Sequence, residues 1–149
     1  MKRLLCLVLV LSLPACGGGG DGHGTLQLGE LRGSWVVVNY WAEWCKPCIR
    51  EIPELNALDR EYPGVRVLGV NYDGASGEDL QRQLVALDVQ FPTLPSDPAP
   101  QLGTTRPAVL PTTLILNQQG ELVETLVGPQ TLETLALATG QTVPTPADE

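Results

Sequence analysis

A short apolar run that leads into two closely spaced cysteines constrains this chain most. Residues Trp35 to Tyr40 are mainly apolar and β-branched, which is typical of a buried central strand. Cys45 and Cys48 follow after a short turn, and apolar residues at helical spacing begin at Ile49. The sequence therefore predicts a strand, a turn and a helix, with the cysteine pair at the point where the helix begins.

The rest of the chain continues the alternation of strands and helices. The pattern predicts a strand over 65–70, a helix over 77–87, a short strand over 89–91, strands over 113–116 and 122–127, and a last helix around 132–137. Ser76 to Asp79 fits a capping box for the second helix, and Pro53 is expected to kink the first. Because a crossover helix joins the first two strands and a turn joins the last two, we predict an α/β fold. It has a central mixed sheet with helices on both faces.

The amino-terminal residues are predicted to direct export rather than to fold. Two basic residues, a short apolar run and a small residue before Cys16 are typical of a bacterial export signal. The ending resembles a lipoprotein lipobox, so we expect residues 1–16 to be a signal peptide that ends at an acylated Cys16. A plain secretory signal is the alternative. Residues 17–24 are predicted to be a glycine-rich tether, 25–140 the folded domain and 141–149 a disordered tail.

Charge and cysteine usage exclude several classes of function. The formal net charge is −8, which gives no electrostatic basis for binding nucleic acid. Cys-x-x-Cys spacing also occurs in zinc sites, but a structural zinc site normally needs four protein ligands. The single histidine, His23, lies in the predicted tether, so we expect neither a bound metal nor a cofactor.

The position of the cysteine pair favours thiol chemistry. A cysteine at a helix amino terminus meets unpaired backbone N–H groups and the positive end of the helix dipole, which favour the thiolate form of Cys45. A thiolate attacks disulfides, and Cys48, about one turn further on, is placed to resolve the mixed disulfide. Lys46 adds a positive charge nearby, and Pro47 suits a first helical turn.

The chain resembles the active-site signature of thioredoxins over residues 37–48, which read Val-Val-Asn-Tyr-Trp-Ala-Glu-Trp-Cys-Lys-Pro-Cys. With Arg50 to Pro53 it is closer to the exported, membrane-tethered TlpA/ResA-like branch, and the resemblance covers residues 26–138. It implies a thioredoxin fold with Cys45 as nucleophile and Cys48 as resolving cysteine. It also implies a cis peptide bond before Pro111, in a loop that faces the sulfurs and pairs with the substrate backbone. Trp44 is expected to act as a lid beside the sulfurs.

Proton transfer is the step at which this chain differs from cytoplasmic thioredoxins. Asn39 stands where those proteins carry a buried aspartate, and an amide cannot shuttle a proton. Glu51 matches a glutamate that ResA-like proteins use near the site; burial would raise its pKa and let it exchange protons with Cys48. The alternative is a surface glutamate that stabilises the first turns of the helix.

Together these features predict a monomeric thiol–disulfide oxidoreductase of the cell envelope, on the periplasmic side. A lipid would anchor it to a membrane, with a soluble periplasmic protein as the alternative. We expect it to reduce disulfides in exported proteins, or to act on apo-cytochrome-like thiols, with electrons from a membrane thiol donor. Residues 104–111 lack the Gly-Val-x-Gly-x-Pro signature of the cytochrome-maturation branch, which argues against a role dedicated to cytochrome c assembly.

Three other functions compete with this prediction. An oxidant that introduces disulfides would use the same residues, because direction depends on the relative stability of the two redox states. A metal-delivery module on the same fold would need a further histidine near the cysteines. A redox-inactive binding domain would not need to retain both Cys45 and Cys48.

Overall fold

A computed structural model describes residues 28–143. The predicted signal peptide over 1–16 with its Cys16, the tether over 17–24 and the last residues of the predicted tail, 144–149, lie outside this range. No helix within residues 28–143 has the length and apolar character needed to cross a membrane.

Four strands form one mixed sheet in the order β2-β1-β3-β4. The elements are β1 (Trp35–Trp41), α1 (Lys46–Glu61), β2 (Val65–Asn71), α2 (Gly77–Ala86), β3 (Thr112–Leu116), β4 (Leu122–Val127) and α3 (Leu132–Ala138). β1 pairs parallel with β2 through the α1 crossover, whereas β1–β3 and β3–β4 pair antiparallel. The predicted mixed sheet is therefore confirmed.

Alternate residues of β1 point to opposite faces of the sheet and enter two apolar cores. On one face Val37 packs with residues of α1 and α3. On the other face Val36 packs with Leu31, which belongs to a one-turn 3-10 helix at Leu28–Leu31. Leu94, from the long loop between α2 and β3, completes that second core. The helices α1 and α3 cover the first face, whereas the core on the second face is closed by the 3-10 helix and by loop residues.

The first helix continues through Pro53 to Glu61, and a kink at Pro53 stays a prediction. Its buried side includes Ile52, Leu55 and Leu58, which pack beneath the sheet. Because Cys45 is the N-cap residue, the anchoring of this face fixes where the cysteine pair lies relative to β1.

The predicted capping box at the start of α2 is wrong. Ser76 is the N-cap residue, but its side chain accepts no hydrogen bond from the first turn. Gly77 follows with a φ of 56°, so the backbone after the cap does not have the helical conformation that a capping box requires. The capping box in the described part of the chain lies instead at α3, where Thr131 and Thr134 bond each other's backbone amides.

The predicted strand over 89–91 is also wrong. The Asn56 side chain forms hydrogen bonds with the backbone there. Its Nδ2 donates to the carbonyl of Asp88 at 2.7 Å, and its Oδ1 accepts from the amide of Gln90 at 3.0 Å. These groups are therefore unavailable for a sheet ladder. Only a single parallel bridge forms, further along, between Gly69 and Thr93.

The beginning of the predicted tail contacts the domain. The amide of Gln141 donates to the carbonyl of Ala136 at 2.9 Å, and Val143 packs against the core that contains α1 and α3. Residues 141–143 therefore extend the packed region beyond α3.

Candidate active site

Cys45 and Cys48 form a disulfide at the start of α1. Their sulfurs are 2.01 Å apart and their Cα atoms 5.3 Å apart. Cys45 is the N-cap residue, and its Sγ accepts a hydrogen bond from the amide of Cys48 at 3.3 Å. The sulfur of Cys45 thus takes the place of a capping oxygen, where the amide and the helix dipole stabilise negative charge.

The disulfide is nearly buried. Cys45 is 4% exposed and Cys48 is 1% exposed, so Cys45 is the slightly more accessible of the two. Beside the pair Trp44 is 63% exposed, and its indole Nε1 donates to Asp73 Oδ2 at 2.8 Å. Trp44 is therefore fixed next to the pair, although its role as a lid stays a prediction.

The other predicted supporting residues flank the pair. Lys46 is exposed and Pro47 is half-buried in the first turn of α1, where the missing amide of proline costs no hydrogen bond. Lys46 can therefore meet solvent and an approaching partner.

The loop before β3 lies against the cysteines. The Leu110–Pro111 peptide bond is cis, in agreement with the resemblance, and the carbonyl of Pro111 accepts from the amide of Gly128 at 2.9 Å. Leu110 packs against the apolar cluster that contains both cysteines. The structure thus brings Pro111 and the cysteine pair together across more than sixty residues of sequence, and substrate pairing by this loop stays a prediction.

Glu51 lies inside the protein. It is only 1% exposed, which excludes the alternative of a surface helix glutamate. Its Oε1 accepts a long hydrogen bond of 3.5 Å from Thr113 Oγ1, which in turn accepts from Asn39 Nδ2 at 3.0 Å. Its Oε2 has no hydrogen-bond partner within residues 28–143. Glu51 is one turn after Cys48 on α1, so the two side chains lie on the same side of the helix.

Burial changes the acidity of this carboxyl group. Desolvation raises the pKa of Glu51 from 4.5 to about 7, because the charged form loses its hydration. The nearby backbone amide of Gln130 and the side chains of Asn39 and Thr113 partly offset this rise. Glu51 can therefore hold or release a proton near neutral pH, as a general acid or base must.

Two residues of the site were not predicted from sequence. Asp73 bonds Trp44, and Tyr72 packs against the cluster that contains the cysteines. Both follow β2 directly. The carboxyl ends of the parallel strands β1 and β2 meet at one edge of the sheet, and that rule could have placed Asp73 and Tyr72 near Cys45.

No group of three or more His, Cys, Asp or Glu side chains arranged to hold a metal occurs within residues 28–143.

The sequence pattern of the AhpC/TSA family matches residues 11–125, which is most of the chain. The chain belongs to the AhpC/TSA family. Among relatives, this AhpC/TSA protein is 31% identical over 112 residues to the thiol-disulfide oxidoreductase ResA of Bacillus cereus. That match covers 74% of this chain and 64% of the relative, so the chain spans less than two thirds of ResA. The predicted kinship with the ResA-like branch is confirmed.

Solved structures agree on the fold. StoA from Bacillus subtilis matches with a TM-score of 0.60 and 25% identity, over 72% of this chain and 84% of StoA. A secreted thiol-disulfide isomerase from Corynebacterium glutamicum matches with a TM-score of 0.67 and 25% identity, over 76% of this chain and 73% of the isomerase. The predicted thioredoxin fold of this AhpC/TSA family member is therefore confirmed.

Proposed function

We propose that this protein is a thiol–disulfide oxidoreductase that exchanges dithiol and disulfide at Cys45 and Cys48. The observation that carries the proposal is the sulfur of Cys45 at the N-cap of α1, bonded by the amide of Cys48 and joined to Cys48 in a disulfide. The names of ResA and of the secreted isomerase from Corynebacterium glutamicum support the same chemistry.

The exchange reaction has two steps in the reducing direction. The thiolate of Cys45 attacks one sulfur of a substrate disulfide; the substrate S–S bond breaks, its second sulfur leaves as a thiolate, and a mixed disulfide forms. The thiolate of Cys48 then attacks the sulfur of Cys45 and expels the first substrate sulfur. The substrate gains two electrons, and Cys45 and Cys48 return to the disulfide. Glu51 accepts the proton that the Cys48 thiol loses before this second attack.

We favour reduction over oxidation as the direction in the cell. Asn39 in place of a proton-carrying aspartate and the buried Glu51 support this choice, together with the likeness to ResA. The decisive measurement is the reduction potential of the Cys45–Cys48 couple in glutathione buffers. A reductase is expected near the value of about −270 mV found for thioredoxin, and a disulfide donor near about −120 mV. A potential in the second range would overturn the reductase assignment, and the Cys45→Ser and Cys48→Ser variants serve as inactive controls.

The proposed location is the periplasmic side of a membrane, through a lipid on Cys16, with a soluble periplasmic protein as the alternative. The signal-like residues 1–16 support this location. Cell fractionation of the full chain and of the Cys16→Ser variant tests it. An anchored protein leaves the membrane fraction when Cys16 is replaced, whereas a soluble protein is found in the periplasmic fraction in both cases.

The proposed partners are disulfides of exported proteins or apo-cytochrome-like thiols, and a membrane thiol donor that reduces the pair again. The Cys48→Ser variant cannot resolve a mixed disulfide, so it should retain its partners covalently at Cys45. Mass spectrometry of the trapped complexes then identifies them. Trapping by the Cys45→Ser variant at the same level would count against Cys45 as the nucleophile.

A further inference from the structure

Tyr72 connects the cysteine pair to the segment after β2. Its backbone amide donates to the carbonyl of Trp41, the last residue of β1, at 2.8 Å. Its ring packs against the cluster of Trp41, Ala42, Cys45 and Cys48. Tyr72 is therefore fixed relative to the reacting sulfurs.

The same residue holds the segment 106–111 directly before β3, here called the Pro111 loop. Its hydroxyl donates to the carbonyl of Pro107 at 3.1 Å. The guanidinium of Arg106 lies over its ring, 3.9 Å from the ring centre, and also donates to the carbonyl of Tyr72. Two consecutive residues at the start of the loop thus bind one tyrosine, through its ring, its hydroxyl and its backbone carbonyl.

Arg106 is fixed from a second direction by Asp97. Its Nε lies 3.5 Å from Asp97 Oδ2. Asp97 is itself anchored, because its Oδ1 accepts from the hydroxyl of Tyr40 at 2.7 Å and from the amide of Ala99 at 2.9 Å. Tyr40 is fully buried in β1. Asp97 therefore connects Arg106 to the central strand through its contact with Tyr40.

We propose that Arg106 and Tyr72 are positioning residues that hold the Pro111 loop at a set distance from Cys45 and Cys48. The loop is tied at Arg106 and Pro107 by Tyr72 and at Pro111 by the amide of Gly128. This inference rests on the proposed exchange reaction and on the predicted pairing of the loop with the substrate backbone. A loop displaced by a fraction of an ångström would weaken that pairing without altering the chemistry of the sulfurs.

The variants Arg106→Lys and Tyr72→Phe each remove one of the contacts that hold the loop. Lysine keeps a positive charge for Asp97 but loses the planar group that stacks on the Tyr72 ring, and phenylalanine keeps the ring but loses the hydroxyl that bonds Pro107. Arg82→Lys is the matched control, because Arg82 is also an exposed arginine that pairs with an aspartate, Asp79, on α2.

Two substrates distinguish loop positioning from sulfur chemistry. We expect kcat/KM for a protein disulfide such as that of insulin to fall about fivefold in Arg106→Lys, through KM, as loss of a stacking contact and a hydrogen bond implies. The rate with a small aromatic disulfide and the reduction potential should match those of the Arg82→Lys control. The proposal would be overturned if Arg106→Lys lowered the rates with both substrates equally, or if kcat/KM for insulin did not fall.

Hydrogen exchange tests the loop independently of activity. In the oxidised protein, the amide of Gly128, which donates to the carbonyl of Pro111, should exchange faster in Arg106→Lys than in Arg82→Lys. Unchanged exchange at this amide would refute the positioning role. If the wild-type protein reduced no disulfide at all, the proposed function would fail, whereas the exchange measurement would still decide whether Arg106 holds the loop.

Discussion

Replacement of Glu51 by glutamine should make the stability of the protein far less dependent on pH. The pKa of Glu51 is raised from 4.5 to about 7 because the side chain is buried. The folded protein therefore holds the proton more tightly than the unfolded chain, and stability must fall as pH rises from about 4.5 to about 7. A glutamine carries no charge at any of these pH values, so the variant should lack this loss.

The size of the effect follows from the shift. One pKa unit corresponds to about 1.36 kcal/mol, so a rise from 4.5 to about 7 costs the wild type about 3 kcal/mol once the carboxylate is charged. Near pH 4 the two proteins should have similar free energies of unfolding. Near pH 8 Glu51→Gln should be the more stable by roughly 3 kcal/mol.

Urea unfolding of the oxidised protein at several pH values measures this difference. The oxidised form is used because the cysteines, held in the disulfide, do not titrate. Glu124→Gln is the matched control, because Glu124 is an exposed glutamate on β4. A stability difference between Glu51→Gln and wild type that stayed constant from pH 4 to pH 8 would refute the assignment of a raised pKa to Glu51.

Two further predictions concern close packing and helix capping. A Cβ atom on Gly69 would lie 2.8 Å from Trp41 Nε1 and 3.0 Å from Thr93 Oγ1, so Gly69→Ala should lower the free energy of unfolding by about 1–3 kcal/mol. Gly64→Ala, where nothing lies within 4 Å of the added atom, should change it far less in the same urea titration. Thr131→Ala should cost about 1 kcal/mol because Thr131 caps α3, whereas Ser76→Ala should have almost no effect because Ser76 makes no cap bond. Equal losses for the two cap variants would contradict the cap geometry.

Local sequence signals predicted the parts of the site that a single stretch of chain builds. The apolar strand before Cys45 and the helical pattern after Cys48 were sufficient to place the pair at a helix amino terminus. The same local pattern could not distinguish Ser76 from Thr131 as a capped residue, because the difference lies in the backbone conformation of Gly77.

Contacts between residues far apart in the sequence could not be predicted from local sequence patterns. Asn39 and Thr113 are 74 residues apart, and Thr113 and Glu51 are 62 apart, yet they lie side by side because β3 pairs with β1. The contact of Arg106 with Tyr72 depends on the path of a proline-rich loop that has no periodicity to interpret. The resemblance to thioredoxins supplied Pro111, which composition alone would have left as an ordinary loop proline.

The burial of Cys48 bears on how two redox partners would share this protein. Cys48 is 1% exposed and Cys45 is 4% exposed. In the proposed exchange both an electron donor and an electron acceptor would present their sulfur to Cys45, and they could not be bound there at the same time. Turnover would then be a ping-pong cycle, in which an excess of either partner competes with its counterpart for the same small surface.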